Sequence, residues 1–391
     1  MVVVKILSGL RAGPAMRNIR NGMVSTIIPV YNRPRLLVEA VDSVLKQTCD
    51  ALEIIIVDDG STDETAAVAE ALCAQHPQFV RLVRQPHAGE MHNGWPRALN
   101  AGIAESSGEF VQFLDSDDLL MPPKFATQVA ALRGDLEAGI SYAYAREYAM
   151  GDPPPLKPCR RTGETFRTLA PAVFFCRLWP TPAALYRRDV IERNGPFLEI
   201  VNSDWEFECR LAVSGVRLNH CRMFLADVRN TQRIEGRRQG NRPRRGYPEN
   251  LDAHERMLAS ARAVGAPPSV FEHQARLFFA LARDSAAAGF PIESRRAVEQ
   301  AIALTDSWPR RLSYRTFATA AGRLGSRRAG AAVQSVRGPL LRAATRVRLI
   351  YARWQHRLRV VVDTAMTVPW RQWPSAFARL WQSRAGARAR S

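Results

Sequence analysis

No run of about eighteen uninterrupted apolar residues occurs in this chain, because arginines break every apolar stretch of its C-terminal half; a membrane-spanning helix is therefore not expected. Cysteine is scarce and scattered. The six cysteines stand at positions 49, 73, 159, 176, 209 and 221, with no CxxC pair and none in the last 170 residues. That spacing excludes a zinc knuckle and a disulfide framework and fits a reducing, cytosolic compartment. The first residues, Val2 to Leu7, are apolar but broken by Lys5 and then by glycine and arginine, too short a run for a signal peptide. Residues 1–22 are expected to be a disordered extension. Acidic residues are almost missing from one region only. Residues 307–391 hold 18 Lys and Arg against one acidic residue, whereas residues 1–250 hold 31 against 29, so nearly all of the net charge of +18 lies in the tail. A catalytic domain built to grip nucleic acid is disfavoured, and a tail that meets a polyanionic surface is favoured.

What is present in the first half is an alternation of strand and helix signals, the pattern of a mostly parallel sheet covered by helices. Val24 to Pro29 is a β-branched run, and Pro34 to Lys46 a helix with apolar Leu37, Val41, Val44 and Leu45 and a proline suited to its first turn. Glu53 to Val57 is a buried strand. The turn Asp58 to Asp63 leads into a helix ending near Gln75, with Asp63 as the expected N-cap. Strands near Val80 to Val83 and Phe110 to Leu114 flank a helix from Gly94 to Ala104, and the second strand runs into Asp115-Ser116-Asp117-Asp118. Ligands of open sheets gather at such C-terminal strand ends.

The segments VSTIIPVYNRPRLLVEAVDSVLKQT, LEIIIVDDGSTDET and GEFVQFLDSDDLLMP, followed by AALYRRDVIERNGPF and NSDWEFECRLAVSG, closely resemble the family 2 glycosyltransferases of GT-A fold. The match covers about Val24 to His220. It implies an α/β fold, a GT-A Rossmann-like mostly parallel sheet with helices on both faces, here followed by a C-terminal α-helical region. It also implies a nucleotide diphosphate sugar donor, a divalent metal and inversion of the anomeric centre in one displacement.

The chemistry asks for these residue types. A nucleotide diphosphate leaving group is a dianion, neutralised by a hard cation such as Mg2+ or Mn2+ held between carboxylate and phosphate oxygens. Asp117 is the expected metal ligand. The resemblance gives Asp115 to the nucleotide sugar and lets Asp118 hold the loop; the plainer use of such a turn is to cap the helix beginning near Pro122. Three carboxylates within four residues repel one another unless a cation is present. By the same resemblance Pro29 and Tyr31 in the first loop, with Asp59, form the nucleobase pocket, favouring uracil or thymine. Asn32 and Asp58 are expected to satisfy loop backbone groups.

A single displacement needs a carboxylate to take the proton of the attacking hydroxyl. Asp204 is the candidate general base, with a helix N-cap as its alternative role and Glu206 as a fallback base, since Ser203 stands where the family commonly has an acid. In Asp227 to Arg233, Arg229 matches the family's diphosphate-holding element and Gln232 stands where its histidine is expected. No QxxRW motif occurs, which points to transfer of one or a few sugars. His87, His92 and Arg97 are expected to be solvated, and Trp179 either stacks on a sugar or packs.

The organisation expected is an extension over 1–22, a GT-A domain over 23–235, an Arg/Gly/Pro-rich linker or lid over 236–250, a helical hairpin module over 251–306 and a basic amphipathic helical tail over 307–391. ALARDSAAAGF and RRAVEQAIAL resemble one tetratricopeptide-type hairpin, too little for a repeat array. In the tail, Leu340, Ala344, Val347, Tyr351, Trp354, Leu358 and Val361 recur at spacings of four and three, and Trp370, Trp373, Phe377 and Trp381 follow among arginines. Residues 337–381 are thus expected on an anionic membrane surface, near a lipid-linked or glycan acceptor of bacterial cell-surface synthesis, or else docked on a protein. No specific nucleic acid is expected. A scaffold that kept the fold but lost catalysis is the competing class.

Overall fold

The run Leu52–Asp58 is buried at every position, which a strand achieves only with both faces of its sheet covered. The computed structural model describes residues 19–49, 51–87, 94–231 and 247–324 and places that run as β2 in a mixed sheet. The other strands are β1 (Arg20–Val30), β3 (Val80–Arg84), β4 (Gly108–Phe113), β5 (Leu119–Leu120), β6 (Ala138–Ala149), β7 (Ala184–Arg187) and β8 (Arg217–Asn230). Among the described residues their order is β3-β2-β1-β4-β7-β6-β8-β5. β3, β2, β1 and β4 run parallel; β7 pairs antiparallel with both β4 and β6, and β8 returns parallel to β6. The mostly parallel α/β architecture implied by the resemblance is the one observed.

Helices α1 (Pro34–Leu45), α2 (Thr65–Gln75), α3 (Gly94–Glu105), α4 (Lys124–Gly134) and α5 (Arg188–Asn194) connect the strands. α1 has Pro34 in its first turn and buries Leu36, Leu37, Ala40, Val41 and Val44 at helical spacing. Asp63 does cap the start of α2, accepting the Thr65 N–H at 2.9 Å, but the N-cap position itself is Glu64. The approach of α3 to the sheet depends on Gly102: a Cβ there would lie 2.3 Å from Ile27 Cγ2, inside the buried core.

After α6 (Ser203–Val213) and β8 the chain becomes helical, with α7 (Tyr247–Ala263), α8 (Pro268–Ala288), α9 (Pro291–Leu304) and α10 (Trp308–Leu324). α7 packs on α6, and Ala253, Met257, Ala261 and Val270 join the same apolar cluster as the sheet. Three boundaries differ from those expected. Arg20, Asn21 and Gly22, assigned to the extension, belong to β1, where the Gly22 N–H donates to Glu109 at 2.7 Å. Tyr247 to Asn250, assigned to the linker, start α7, with Glu249 in its first turn, where an acid is favoured. Residues 308–324, placed in the tail, form a helix of their own packed on α9. Residues 337–381 lie outside the described residues, and no described helix is long and apolar enough to cross a membrane. The six cysteines are free.

One charge is enclosed in the sheet's flank. Lys124, fully buried at the start of α4, directs its Nζ to Gln128 and to the Ala183 carbonyl at 3.3 Å. Burial pulls its pKa from 10.5 down to about 7. Between those values the unfolded chain binds the extra proton, so stability rises with pH across that window, by up to about 1.4 kcal/mol per pH unit. Lys124→Met, which keeps the volume, is expected to flatten this rise; urea unfolding at about pH 7.5 and about pH 9.5 measures it.

Candidate functional site

Adjacent parallel strands end on the same edge of a sheet, so the residues that follow β1, β2 and β4 meet there. Pro29, expected in the first loop, is instead buried within β1, paired with Val57. β4 makes its last pair with β1 at Ile27, so Pro29, two residues on, needs no N–H on that side. Tyr31 follows the strand and stacks on His87, ring centroids 4.2 Å apart and planes 11° from parallel. Asn32 adopts φ 51°, its Oδ1 accepting the Thr62 N–H at 2.8 Å, and Asp58 Oδ1 accepts the Ser61 N–H at 3.0 Å. Both side chains brace the two loops.

Asp59 is buried and heavily engaged. Its Oδ1 accepts from Gln85 Nε2 and Arg97 Nη2, each at 2.8 Å, and its Oδ2 lies 3.2 Å from His87 Nδ1. Gly94 opens α3 because a Cβ there would lie 1.9 Å from Asp59 Oδ2. His87 and Arg97 are thus part of the site; the expectation that they are merely solvated is corrected. The side-chain-free Gly94, three residues before Arg97, was the available signal of a close approach. His92 and Gln232 lie outside the described residues.

The turn after β4 holds the acidic motif. Asp115 Oδ1 accepts the Trp95 indole N–H at 2.7 Å, and burial together with Asp117 holds the Asp115 carboxyl above the ordinary range. Asp117 Oδ2 lies 2.9 Å from Arg33 Nη1, the guanidinium at the start of α1. Asp118 is buried and accepts the Arg229 N–H at 3.0 Å, while Arg229 Nε donates to the Asp117 carbonyl at 2.5 Å and its Nη1 to Glu39. Arg229 Nη2 is buried without a hydrogen-bond partner. Among the described residues no three candidate ligands gather around one point. The turn fits a hard cation that takes few protein oxygens and completes its shell with phosphate and water. Asp117 would supply the protein's share.

Asp204 sits in the first turn of α6, whose N-cap position is Asn202, and its Oδ1 accepts the Trp205 N–H at 2.7 Å, so the helix-start role is present alongside any other. It pairs with Arg177 Nη1, and its side chain is 28% exposed. Arg177 spans to Glu208 one turn on, donating to its Oε1 from Nε at 3.1 Å and Nη2 at 2.9 Å. Burial pushes Glu208 up to about 7, partly offset by Arg177. Glu206 is tied to Arg210, both of its oxygens at 2.9 Å from Nε. Trp179 is fully buried and stacks on Tyr142, so of its two expected roles packing is the one observed. A cavity bounded by Trp95, Thr181, Tyr186 and Phe197 opens on Arg177, Asp204 and Glu208. Trp95, one of its walls, ties it to Asp115 of the acidic turn.

Residues 25–195 match the model of glycosyl transferase family 2. The family resemblance is carried by that segment, which is a glycosyl transferase family 2 domain. Glycosyltransferase GlyG of Streptococcus pneumoniae is 37% identical over 31% of this chain and 40% of its own length. An uncharacterized glycosyltransferase of Nostoc, alr2836, is 30% identical over 54% of this chain and 62% of its own. The chain thus spans about two fifths to three fifths of these curated relatives. Among solved structures, S. aureus TarS superposes with a TM-score of 0.56 at 18% identity, over 80% of this chain and 55% of that one. TarS 1-349 in complex with UDP-GlcNAc gives 0.53 at 16%, over 78% and 92%. These likenesses give the family 2 domain of this chain its GT-A-like fold.

Arg177 is the group on which both α6 carboxylates lean. Arg177→Met is expected to cost roughly 3–5 kcal/mol, the toll of leaving a buried partner unpaired. Below about pH 7 Glu208 takes up a proton, so the loss is smaller at acid pH and grows as pH rises. Urea unfolding on either side of that value reads the difference.

Proposed function

We propose that this protein is a nucleotide-sugar-dependent, inverting glycosyltransferase. The observation that supports the reading is the Trp95–Asp115 bond, which ties the acidic turn after β4 to a wall of the cavity on which Asp204 of α6 opens. In one displacement the sugar's anomeric carbon lies between the departing diphosphate and the attacking hydroxyl, and the reading gives the acidic turn to the first and Asp204 to the second. Asp117 holds Mg2+ or Mn2+, which neutralises the leaving diphosphate; Asp115 contacts the nucleotide sugar. Asp204 accepts the proton of the acceptor hydroxyl. Tyr31 and Asp59, oriented by His87, Gln85 and Arg97, receive the nucleobase, with Pro29 shaping the strand end beneath. A UDP- or dTDP-type donor agrees with a carboxylate reading a base N–H, and the relative TarS 1-349 was determined with UDP-GlcNAc. The acceptor is a hydroxyl of a glycan or lipid-linked molecule, reached at the cytoplasmic membrane face through the basic stretch 337–381.

A ligand that binds only the folded state raises its melting temperature. Thermal shifts with UDP, dTDP, GDP and CMP and their sugars, with and without Mn2+, are expected to single out one nucleotide class and to need the metal. Asp117→Ala abolishes the metal-dependent shift. Asp204→Asn keeps the shift and lowers transfer by about 10²–10⁴-fold. Well-folded protein that shifts with none of these ligands is a scaffold instead.

A further inference from the structure

Glu208 is 1% exposed, yet only half of its carboxylate is used. Oε1 takes both hydrogen bonds from Arg177, and Oε2 is buried with no partner. A buried acceptor left unpaired is costly, so it calls for a donor, an ordered water or a hydroxyl that a ligand brings. Glu208 opens on a recess of about 10 Å³, room for a single water or hydroxyl group, and its walls suggest which ligand brings that hydroxyl. Trp95, Tyr186, Phe197 and Phe207 give it aromatic walls, and Asp204 and Glu208 give it acceptors. Aromatic surface for C–H faces beside carboxylates for hydroxyls is the chemistry of a sugar ring, a few placed polar groups in an apolar cleft.

The cavity's position says which sugar. Trp95 and Thr181 both hydrogen-bond Asp115, so one wall rests on the carboxylate assigned to the donor, while Asp204 stands at the other. We propose that Glu208 Oε2 accepts a hydrogen bond from a hydroxyl of the transferred sugar and thereby selects among nucleotide sugars that share one nucleotide. This rests on the glycosyltransferase reading and adds to it a specificity-determining residue. Arg177 makes the assignment work twice over: it fixes Oε1, which leaves Oε2 pointing at the ligand, and it orients Asp204 by its remaining nitrogen.

Calorimetric titration of the full chain with UDP and UDP-N-acetylglucosamine, and with GDP and GDP-mannose, tests the assignment in wild type, Glu208→Gln and Glu208→Leu, with Mn2+ present. Glu208→Leu is expected to bind the preferred nucleotide as wild type does and its sugar-bearing form about tenfold to a hundredfold more weakly, the worth of a hydrogen bond to a charged group. Glu208→Gln, whose single amide oxygen meets Arg177 and which turns a donating NH2 to the sugar in place of Oε2, is expected to weaken the sugar-bearing form as well while keeping the Arg177 bond. Unchanged affinity of Glu208→Leu for the sugar nucleotide overturns the proposal, as does an equal loss for nucleotide and sugar nucleotide, or a defect confined to the acceptor's KM; each leaves the transferase reading standing. Wild-type protein that binds none of the four ligands removes that reading and the proposal together.

Discussion

Carboxylates gathered at one edge of a sheet repel each other, and the way this chain balances them organises its site. Most are met by arginines drawn from different elements: Arg33 of the β1–α1 turn reaches Asp117, Arg97 of α3 reaches Asp59, Arg229 of β8 reaches the Asp117 and Asp118 turn, and Arg177 reaches Asp204 and Glu208. Ion pairs of this kind are costly to desolvate and contribute net stability only when well bonded. Here the pairing links segments far apart in sequence, so the loops cannot shift independently. Asp115 hydrogen-bonds neutral donors, Trp95 and Thr181, and burial together with the neighbouring Asp117 outweighs them and raises its affinity for protons. A divalent ion arriving with a diphosphate would find a turn whose charge is only partly compensated.

The parallel half of the sheet was readable because β-branched runs and amphipathic helices alternate there without interruption; Leu37, Val41 and Val44 lie on one helical face and are buried as their spacing requires. The acidic turn was readable because its residue types answer a chemical need. What escaped was pairing over distance. Asp59 could be chosen from its turn, but not the fact that His87 and Arg97, 28 and 38 residues on, close around it. Glu208 looked like one more polar position of a mixed helix; its burial comes from Arg177, 31 residues upstream, which no local pattern announces. Trp179, ambiguous between stacking and packing, was decided by Tyr142 across the sheet. Pro29 marked the strand end only approximately, because a proline can stay inside a strand where the neighbour has already stopped.

The helix α6 links the two halves of the described chain. Its inner face carries Phe207 and Glu208 toward the cavity, while on the opposite side Trp205 sets its ring edge against His254 of α7, 5.7 Å between centroids, and Asn202 bonds Asn250 at 3.0 Å. α8 adds a bond from Gln274 to the Phe174 carbonyl at 2.8 Å, close to Arg177. Asp204 is therefore positioned from the helical module as much as from the sheet.

This arrangement separates homology from autonomy. The segment matched by the family model stops at residue 195, before Asp204 and α6, and the apolar cluster does not stop until Val270. Cutting the chain at residue 195 would remove α6 with Asp204 and Glu208 and bare the apolar surface that α6 covers. The smallest excisable transferase unit is consequently drawn by packing and not by kinship, and grafting this helical module onto a related sheet would demand re-matching the α6–α7 seam before any question of substrate arises.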